Sequence, residues 1–304
     1  MNNGIQGCGG VAAFFDLDGT LVALPSLERR FFRTLRYRRA IPVRNYFLWF
    51  AEALRLAPSG VGTILQANKM YLRGVQSFDE RGKGDDAVSP WHKSGHQAEG
   101  QASAPSSRRA RRNPRLPVPV FLAEGIERVV WHGKQGHAIV LVSGTLEPLA
   151  QAAARAVEVE LAARGIFLAI RVCATRLEEV GGRWTGRILG EALFGEAKER
   201  AVRRIATEMK LDLTQCYAYG DSVNDRCLLE AVGRPTVVNP SNDLGRIARE
   251  HAWPVMRWEK EGIETQRRGE RRENQERRTK AIPKPRTEEV HRVEGARMSS
   301  ENIG

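Results

Sequence analysis

Val11-Ala12-Ala13-Phe14-Phe15-Asp16-Leu17-Asp18-Gly19-Thr20 is the stretch on which the reading of this chain turns. VAAFF is a short apolar run of the kind buried on both faces of a sheet. Two carboxylates follow at a spacing of two, and in an extended chain such residues point to the same side, so Asp16 and Asp18 can face one ligand. Gly19 lets the chain turn away tightly. Taken alone, DLDGT also suits a Ca²⁺ loop or an acidic turn.

Working outward, similar apolar runs recur. HAIVLVSG (137–144) reads as a second buried strand, and EPLAQAAARAVEVELAARG as a helix with Pro148 in its first turn and Gly165 just past its end. FLAIRVCAT (167–175) reads as a strand, followed by a hairpin turn at Gly181-Gly182. EAKERAVRRIATEMK is a helix, CYAYGDS a strand, NDRCLLEAVG a helix and PTVVNP a strand, with NDLGRIAREHAW closing the folded part. Strands alternating with crossover helices predict an α/β fold, a doubly wound and mainly parallel sheet with helices on both faces. Ligands of such sheets sit at the carboxyl ends of the strands. Residues 26–75 are helical by periodicity, punctuated by Pro42 and by Pro58-Ser59-Gly60.

Two composition breaks bound these segments. Residues 76–119 include AEGQASAPSSRRARRNPRLPVP, lack apolar periodicity and are expected to be a disordered basic insert. Residues 259–304 form a charged tail with no hydrophobic face, also expected to be disordered. The formal net charge is +12, from 48 Lys+Arg against 36 Asp+Glu. A balance of that sign suits nucleic acid or an anionic membrane, but solvated basic tails account for it more simply. Cys8, Cys173, Cys216 and Cys227 have no metal-ligand spacing, and buried free thiols in a reducing cytoplasm are the expectation. No basic, apolar leader opens the chain and no run of 18 apolar residues occurs, so neither a signal peptide nor a transmembrane segment is expected. Tyr46-Phe47-Leu48-Trp49-Phe50 is flanked by Arg44 and Glu52, and it reads as a core-facing or cap helix rather than a membrane contact.

Three further polar clusters fall where strands end or helices begin. Ser143-Gly144-Thr145 offers a hydroxyl and free N–H groups as a phosphate seat, though Ser or Thr before a helix is more often an N-cap. Lys198 stands in GEAK at a helix start, where a lone Lys is ordinarily solvated surface. Gly220-Asp221-Ser222-Val223-Asn224-Asp225 places two acids four apart at a strand end, able to bracket a divalent cation or to serve as a cap and a surface acid.

In combination, the order acidic pair, Ser-Gly-Thr, Lys, GDSxND resembles the four-motif signature of the haloacid dehalogenase (HAD) superfamily. The resemblance is to its phosphoserine-phosphatase-like branch, and it covers about residues 11–75 and 120–258. It implies a Rossmann-like catalytic core over 11–23 and 120–258 with a small helical cap over 24–75. By the same resemblance Asp16 is the nucleophile that becomes an aspartyl-phosphate, and Asp18 is the general acid and base. Mg²⁺ is the implied cofactor, held by Asp16, the main-chain carbonyl of Asp18 and Asp221. Ser143, the Gly144 amide and Lys198 hold the phosphoryl group, while Asp225 orients Lys198 or a metal-bound water and Asn224 supports the site.

The implied reaction is hydrolysis of a small phosphorylated substrate. Phosphoserine phosphatases carry, nine residues after the nucleophile, a Glu that helps recognise the substrate; Pro25 stands there in this chain, with Glu28 three residues on. The motif also reads DGT where that enzyme commonly has DST, so an organic phosphate monoester of unspecified identity is expected. A phosphotransferase or phosphomutase on the same machinery is the near alternative. A nucleic-acid or anionic-membrane binding protein, resting on SSRRARRNPR and the Arg-rich tail, is the alternative of a different class, although no recognisable nucleic-acid module occurs there. The sequence leaves the oligomeric state open.

Overall fold

The computed structural model describes residues 10–77 and 116–259. Cys8 and most of the expected basic insert and tail lie outside the described residues. β1 (Ala12–Phe15), β2 (Ala138–Leu146), β3 (Arg171–Thr175), β6 (Tyr217–Gly220), β7 (Arg234–Val238) and β8 (Val255–Met256) form a six-stranded sheet in the order β3-β2-β1-β6-β7-β8. Every pairing within it is parallel. The chain starts in the middle, winds out to β3, then returns beside β1 and winds the other way. β1 and β6 therefore flank the point where the winding reverses, and the groove above their carboxyl ends is where such sheets receive ligands.

Alternation along β1 shows why both faces are covered. Phe15 joins one apolar cluster with Leu141, Val129 and Val130 of α4 (Ala123–Lys134), and Leu149 and Ala153 of α5 (Glu147–Ala163). Phe14 joins the other, with Val140, Val202 and Ile205 of α6 (Glu196–Met209), Leu228 of α7 (Arg226–Glu230) and Leu244 of α8 (Asn242–Glu250). The expected doubly wound parallel fold is thus present.

Between β1 and α4 lie α1 (Leu27–Tyr37), α2 (Arg44–Leu56) and α3 (Val61–Ala67). Ser26 caps α1 by accepting from the Arg29 amide, and Leu27, Phe31 and Leu35 form its buried stripe. That stripe is continuous with the core beneath the sheet. β4 (Leu177–Val180) and β5 (Arg183–Ile188) make the hairpin expected at Gly181-Gly182. Its Trp184 meets Phe31 edge-on at 6.1 Å.

Several expectations need correction. Gln76 and Ser77 are not part of a loose insert: Gln76 bridges Arg183, and the buried Ser77 donates its amide to Gly182. At the other boundary, Leu116 packs on the core. The third strand begins at Arg171 rather than Phe167, whose side chain is exposed. Cys216 precedes its strand, buried, where its Sγ accepts from the Ala12 amide. α4 was not legible, because Gly125 and Gly133 dilute its helical pattern. Packing explains the glycines: a Cβ at Gly125 would stand 3.2 Å from Leu21 and from the Trp258 ring, and one at Gly133 2.9 Å from Ile166.

Candidate active site

β1 delivers Asp16 one residue beyond its end, and the Asp16 amide donates to the Tyr219 carbonyl of β6 at 2.9 Å. Asp221 follows β6 directly, so the two acids stand at the carboxyl ends of neighbouring strands. α6 brings Lys198 in its first turn, with its side chain buried at 2% exposure. Its Nζ lies 2.5 Å from Asp16 Oδ1 and 2.5 Å from Asp225 Oδ1. Asp225 Oδ2 accepts from the amides of Asp221 and Ser222 and from the Ser222 hydroxyl. Both Asp225 oxygens are thereby occupied, and its carboxylate holds Lys198 in place.

Burial dominates the electrostatics. Desolvation pushes Asp16 up to about 7, opposed by Lys198 and reinforced by Asp225. Desolvation, with Asp16 and Asp225 adding repulsion, pushes Asp221 up to about 8. Lys198 is held well above its ordinary value, since its two carboxylates outweigh its own desolvation. Oxygens of Asp16, Asp221 and Asp225 lie within 4.8 Å of one another. One ammonium faces three carboxylates, which leaves a deficit of positive charge. A hard dication with oxygen ligands meets both the deficit and the donor set, so the residues present fit Mg²⁺.

Ser143, Gly144 and Thr145, on the strand beside β1, line with Asp16, Lys198 and Asp221 a cavity of about 200 Å³. These three residues are not a helix start, as expected, but lie inside β2, where its register against β3 shifts between Ser143 and Leu146. The irregularity frees the local backbone from the ladder. Ser143 Oγ accepts from the Thr145 amide, and Thr175 donates its hydroxyl to the Gly144 carbonyl. Gly144 is required by contact: a Cβ there would stand 2.2 Å from the Phe194 ring. Thr20 Oγ1 and Thr145 Oγ1 are buried and have no hydrogen-bond partner among the described residues. Neither threonine was singled out as a site residue, although each stands within a motif that was.

Residues 13–230 match the family model for haloacid dehalogenase-like hydrolases. The chain belongs to that family. The HAD match takes in all four clusters. Among curated relatives, Phosphoserine phosphatase SerB1 of Mycobacterium tuberculosis is 28% identical over 253 residues, covering 80% of this chain and 70% of that protein. Probable phosphatase Rv3661 of the same organism is 33% identical over 141 residues, 46% of this chain; the match spans less than half of that relative, 45%. A crystal structure of a protein of unknown function from Bordetella pertussis Tohama I is 26% identical, with a TM-score of 0.52, covering 82% of this chain and 98% of that one.

On the side of this HAD site facing α1, Asp18 Oδ1 accepts from the Leu27 amide at 2.7 Å. Burial raises its pKa to about 6, against the pull of that hydrogen bond. Glu28 and Ser26 also line the cavity. Glu28 is bound at both oxygens by the buried Lys69, at 2.6 and 2.8 Å, and accepts from the Tyr71 hydroxyl at 2.7 Å. Lys69 and Tyr71 lie 41 and 43 residues from Glu28 and carried no sequence signal toward it. Asn224 Oδ1 accepts from Gln66 of α3, which ties α3 to the rim of the cavity.

Proposed function

We propose that the protein is a Mg²⁺-dependent phosphatase that hydrolyses small organic phosphate monoesters through an aspartyl-phosphate on Asp16. The observation that carries this reading is the buried set at the strand ends: Asp16 and Ser143–Thr145 lining one small cavity, with Lys198 locked between Asp16 and Asp225. The name of SerB1 and membership of the HAD family support the same reaction class.

Asp16, the main-chain carbonyl of Asp18 and Asp221 would hold the ion. When bound, Mg²⁺ would supply two positive charges that keep Asp16 and Asp221 ionised and offset the phosphoryl oxygens. Asp16 attacks phosphorus while Ser143, the Gly144 amide and the Lys198 ammonium hold the phosphoryl oxygens. The Thr145 hydroxyl, without a partner among the described residues, lines the same cavity as a further donor. Asp18, with its pKa near 6, is protonated in part at neutral pH and gives its proton to the leaving oxygen. Once ionised it takes a proton from the water that cleaves the acyl phosphate. The hydrogen bond from Leu27 N keeps the carboxylate oriented in both states.

Glu28 narrows the substrate class. Lys69 compensates its charge inside the protein, so the wall facing α1 does not call for an ammonium group on the substrate. This supports an organic phosphate other than phosphoserine. We assign the catalytic core to residues 11–23 and 120–258 and the cap to 24–75. The free thiols of Cys173, Cys216 and Cys227 suit a reducing cytoplasm, and none of the helices among the described residues is long and apolar enough to cross a membrane.

The test is hydrolysis of p-nitrophenyl phosphate. Activity with Mg²⁺, loss in EDTA and loss in Asp16→Asn are expected. Full turnover by metal-free protein or by Asp16→Asn overturns the reading, and phosphate delivered to an added acceptor in preference to water makes the enzyme a transferase.

A further inference from the structure

α2 is apolar on its outward face as well as toward the core. Its buried residues are Asn45 and Ala53, whereas its outward face is apolar. Val43, Phe47, Phe50 and Leu54 recur at the four-three-four spacing that aligns side chains on one helical face, and they are 72%, 73%, 60% and 61% exposed. Tyr46 adds to this face, and Val61, 71% exposed, follows at the start of α3. Of the two readings expected for this aromatic stretch, a core-facing or a cap helix, the core-facing one is corrected: Trp49 alone among the aromatic residues of α2 packs against the core. Scattered exposed apolar residues need no explanation, but a continuous face on one helix does.

Charge indicates what covers it. From residue 29 to residue 51 the chain contains seven arginines and no acid. Arg33 and Arg36 are exposed on α1, Arg39 on the connection to α2, and Arg44 in the first turn of α2. A cation in a first turn opposes the helix dipole, and α2 has no acid there to offset it. An apolar face on a helix that opens with Arg44 and follows an arginine-rich connection is the pattern of a helix lying in a membrane interface, with its apolar side chains among the acyl chains and its cations at anionic headgroups. A second copy of the chain fits less well, because the acids of α1 and α2 are already engaged, Glu28 by Lys69 and Glu52 by Arg55, and leave none to meet the arginines of a partner.

We propose that α2 docks the protein on an anionic lipid bilayer, with Phe47, Phe50 and Leu54 entering the interface and the arginines of the α1–α2 junction pairing with lipid phosphates. The inference stands apart from the proposed catalysis. It would nonetheless set the cavity close to the bilayer, since α3 follows α2 and reaches the rim through Gln66.

The experiment is sedimentation of the full chain with phosphatidylcholine vesicles, with and without about 30% phosphatidylglycerol. Wild-type protein should pellet with the anionic vesicles and not with the neutral ones. Phe47→Ser, Phe50→Ser and Leu54→Ser combined should weaken binding at least about tenfold at an unchanged thermal transition, because these side chains are exposed in the free protein. Binding unchanged in that variant would assign it to other basic segments and overturn the proposal, as would a wild type that binds no vesicles. A wild-type dimer that the triple substitution splits, without vesicle binding, would assign the face to a second copy instead. Should the triple variant fail to fold, Arg33→Ser, Arg36→Ser and Arg39→Ser combined decides the matter: a loss of about tenfold is expected, and unchanged affinity overturns the proposal.

Discussion

Replacing Lys198 by Met keeps the length of the side chain and removes its charge from between two buried carboxylates. Lys198, Asp16 and Asp225 are 2%, 6% and 0% exposed, so water screens none of them well. Breaking a buried pair by deleting one partner typically costs ~3–5 kcal/mol. Here the cost should depend on pH. Asp225 keeps three other donors, whereas Asp16 loses its ammonium partner in a place where burial already raises its pKa, so Asp16 is the group that escapes by taking a proton. Its pKa is already about 7 with Lys198 beside it, because burial outweighs the ammonium, and without Lys198 it must rise further. A carboxyl whose folded pKa exceeds its unfolded value binds more protons when folded, and it costs stability as pH rises through that interval. Wild type completes this loss near pH 7, whereas Lys198→Met continues to lose. The penalty of the substitution should therefore grow by about 1.4 kcal/mol per pH unit above 7. Urea unfolding of EDTA-treated protein between pH 6 and 8.5 measures it, and adding Asp16→Asn should remove most of the growth, the remainder belonging to Asp221, which Lys198 also holds down. A penalty independent of pH, or a slope undiminished by Asp16→Asn, would refute the reasoning.

Other consequences follow from single contacts. His132 is buried between His137 and the Tyr219 hydroxyl, and desolvation lowers its pKa to about 3. Its contribution is present above pH 6.5 and declines by about 1.4 kcal/mol per unit as pH falls from there toward 3; His132→Gln should flatten that limb in acid titrations of stability, and an unaltered slope would count against it. At Gly19, φ is 98° and a Cβ would lie 2.2 Å from Asp221 Oδ2. Gly19→Ala should cost ~1–2 kcal/mol in backbone strain and raise the Mg²⁺ concentration needed for half-maximal hydrolysis; a wild-type Mg²⁺ titration would contradict it. Lys69→Met strands the Glu28 carboxylate and should cost ~3 kcal/mol, much of it recovered by adding Glu28→Gln, as measured by urea unfolding; no recovery would show that the ion pair is not the cause.

The gathering of the candidate site was legible wherever a motif is local. Asp16, Asp18 and Asp221 each follow closely on the end of an apolar strand, so position along the chain nearly gives position at the sheet end. What depends on distant partners was not. The Glu28–Lys69 pair joins residues 41 apart, and the occupied oxygens of Asp225 show only when Lys198, Asp221 and Ser222 are brought together. Strand order was likewise hidden, because β1 pairs with β6 across most of the chain. α2 misled because both of its faces carry apolar residues, and periodicity then cannot say which one turns inward. α4 failed for the opposite reason: its pattern is weakened by glycines that exist to admit Leu21, Trp258 and Ile166.

The central claim is that Asp16 carries the phosphoryl group and Asp18 moves the protons. Asp18→Asn should still be phosphorylated by p-nitrophenyl phosphate, whose leaving group needs little protonation, but it should lose water activation, typically worth ~10²–10⁴-fold. Acid-quenched Asp18→Asn protein, digested and read by mass spectrometry, should therefore carry a phosphate adduct on Asp16, absent from the Asp16→Asn, Asp18→Asn double variant. An adduct on Ser143, or one that persists in the double variant, would contradict the account.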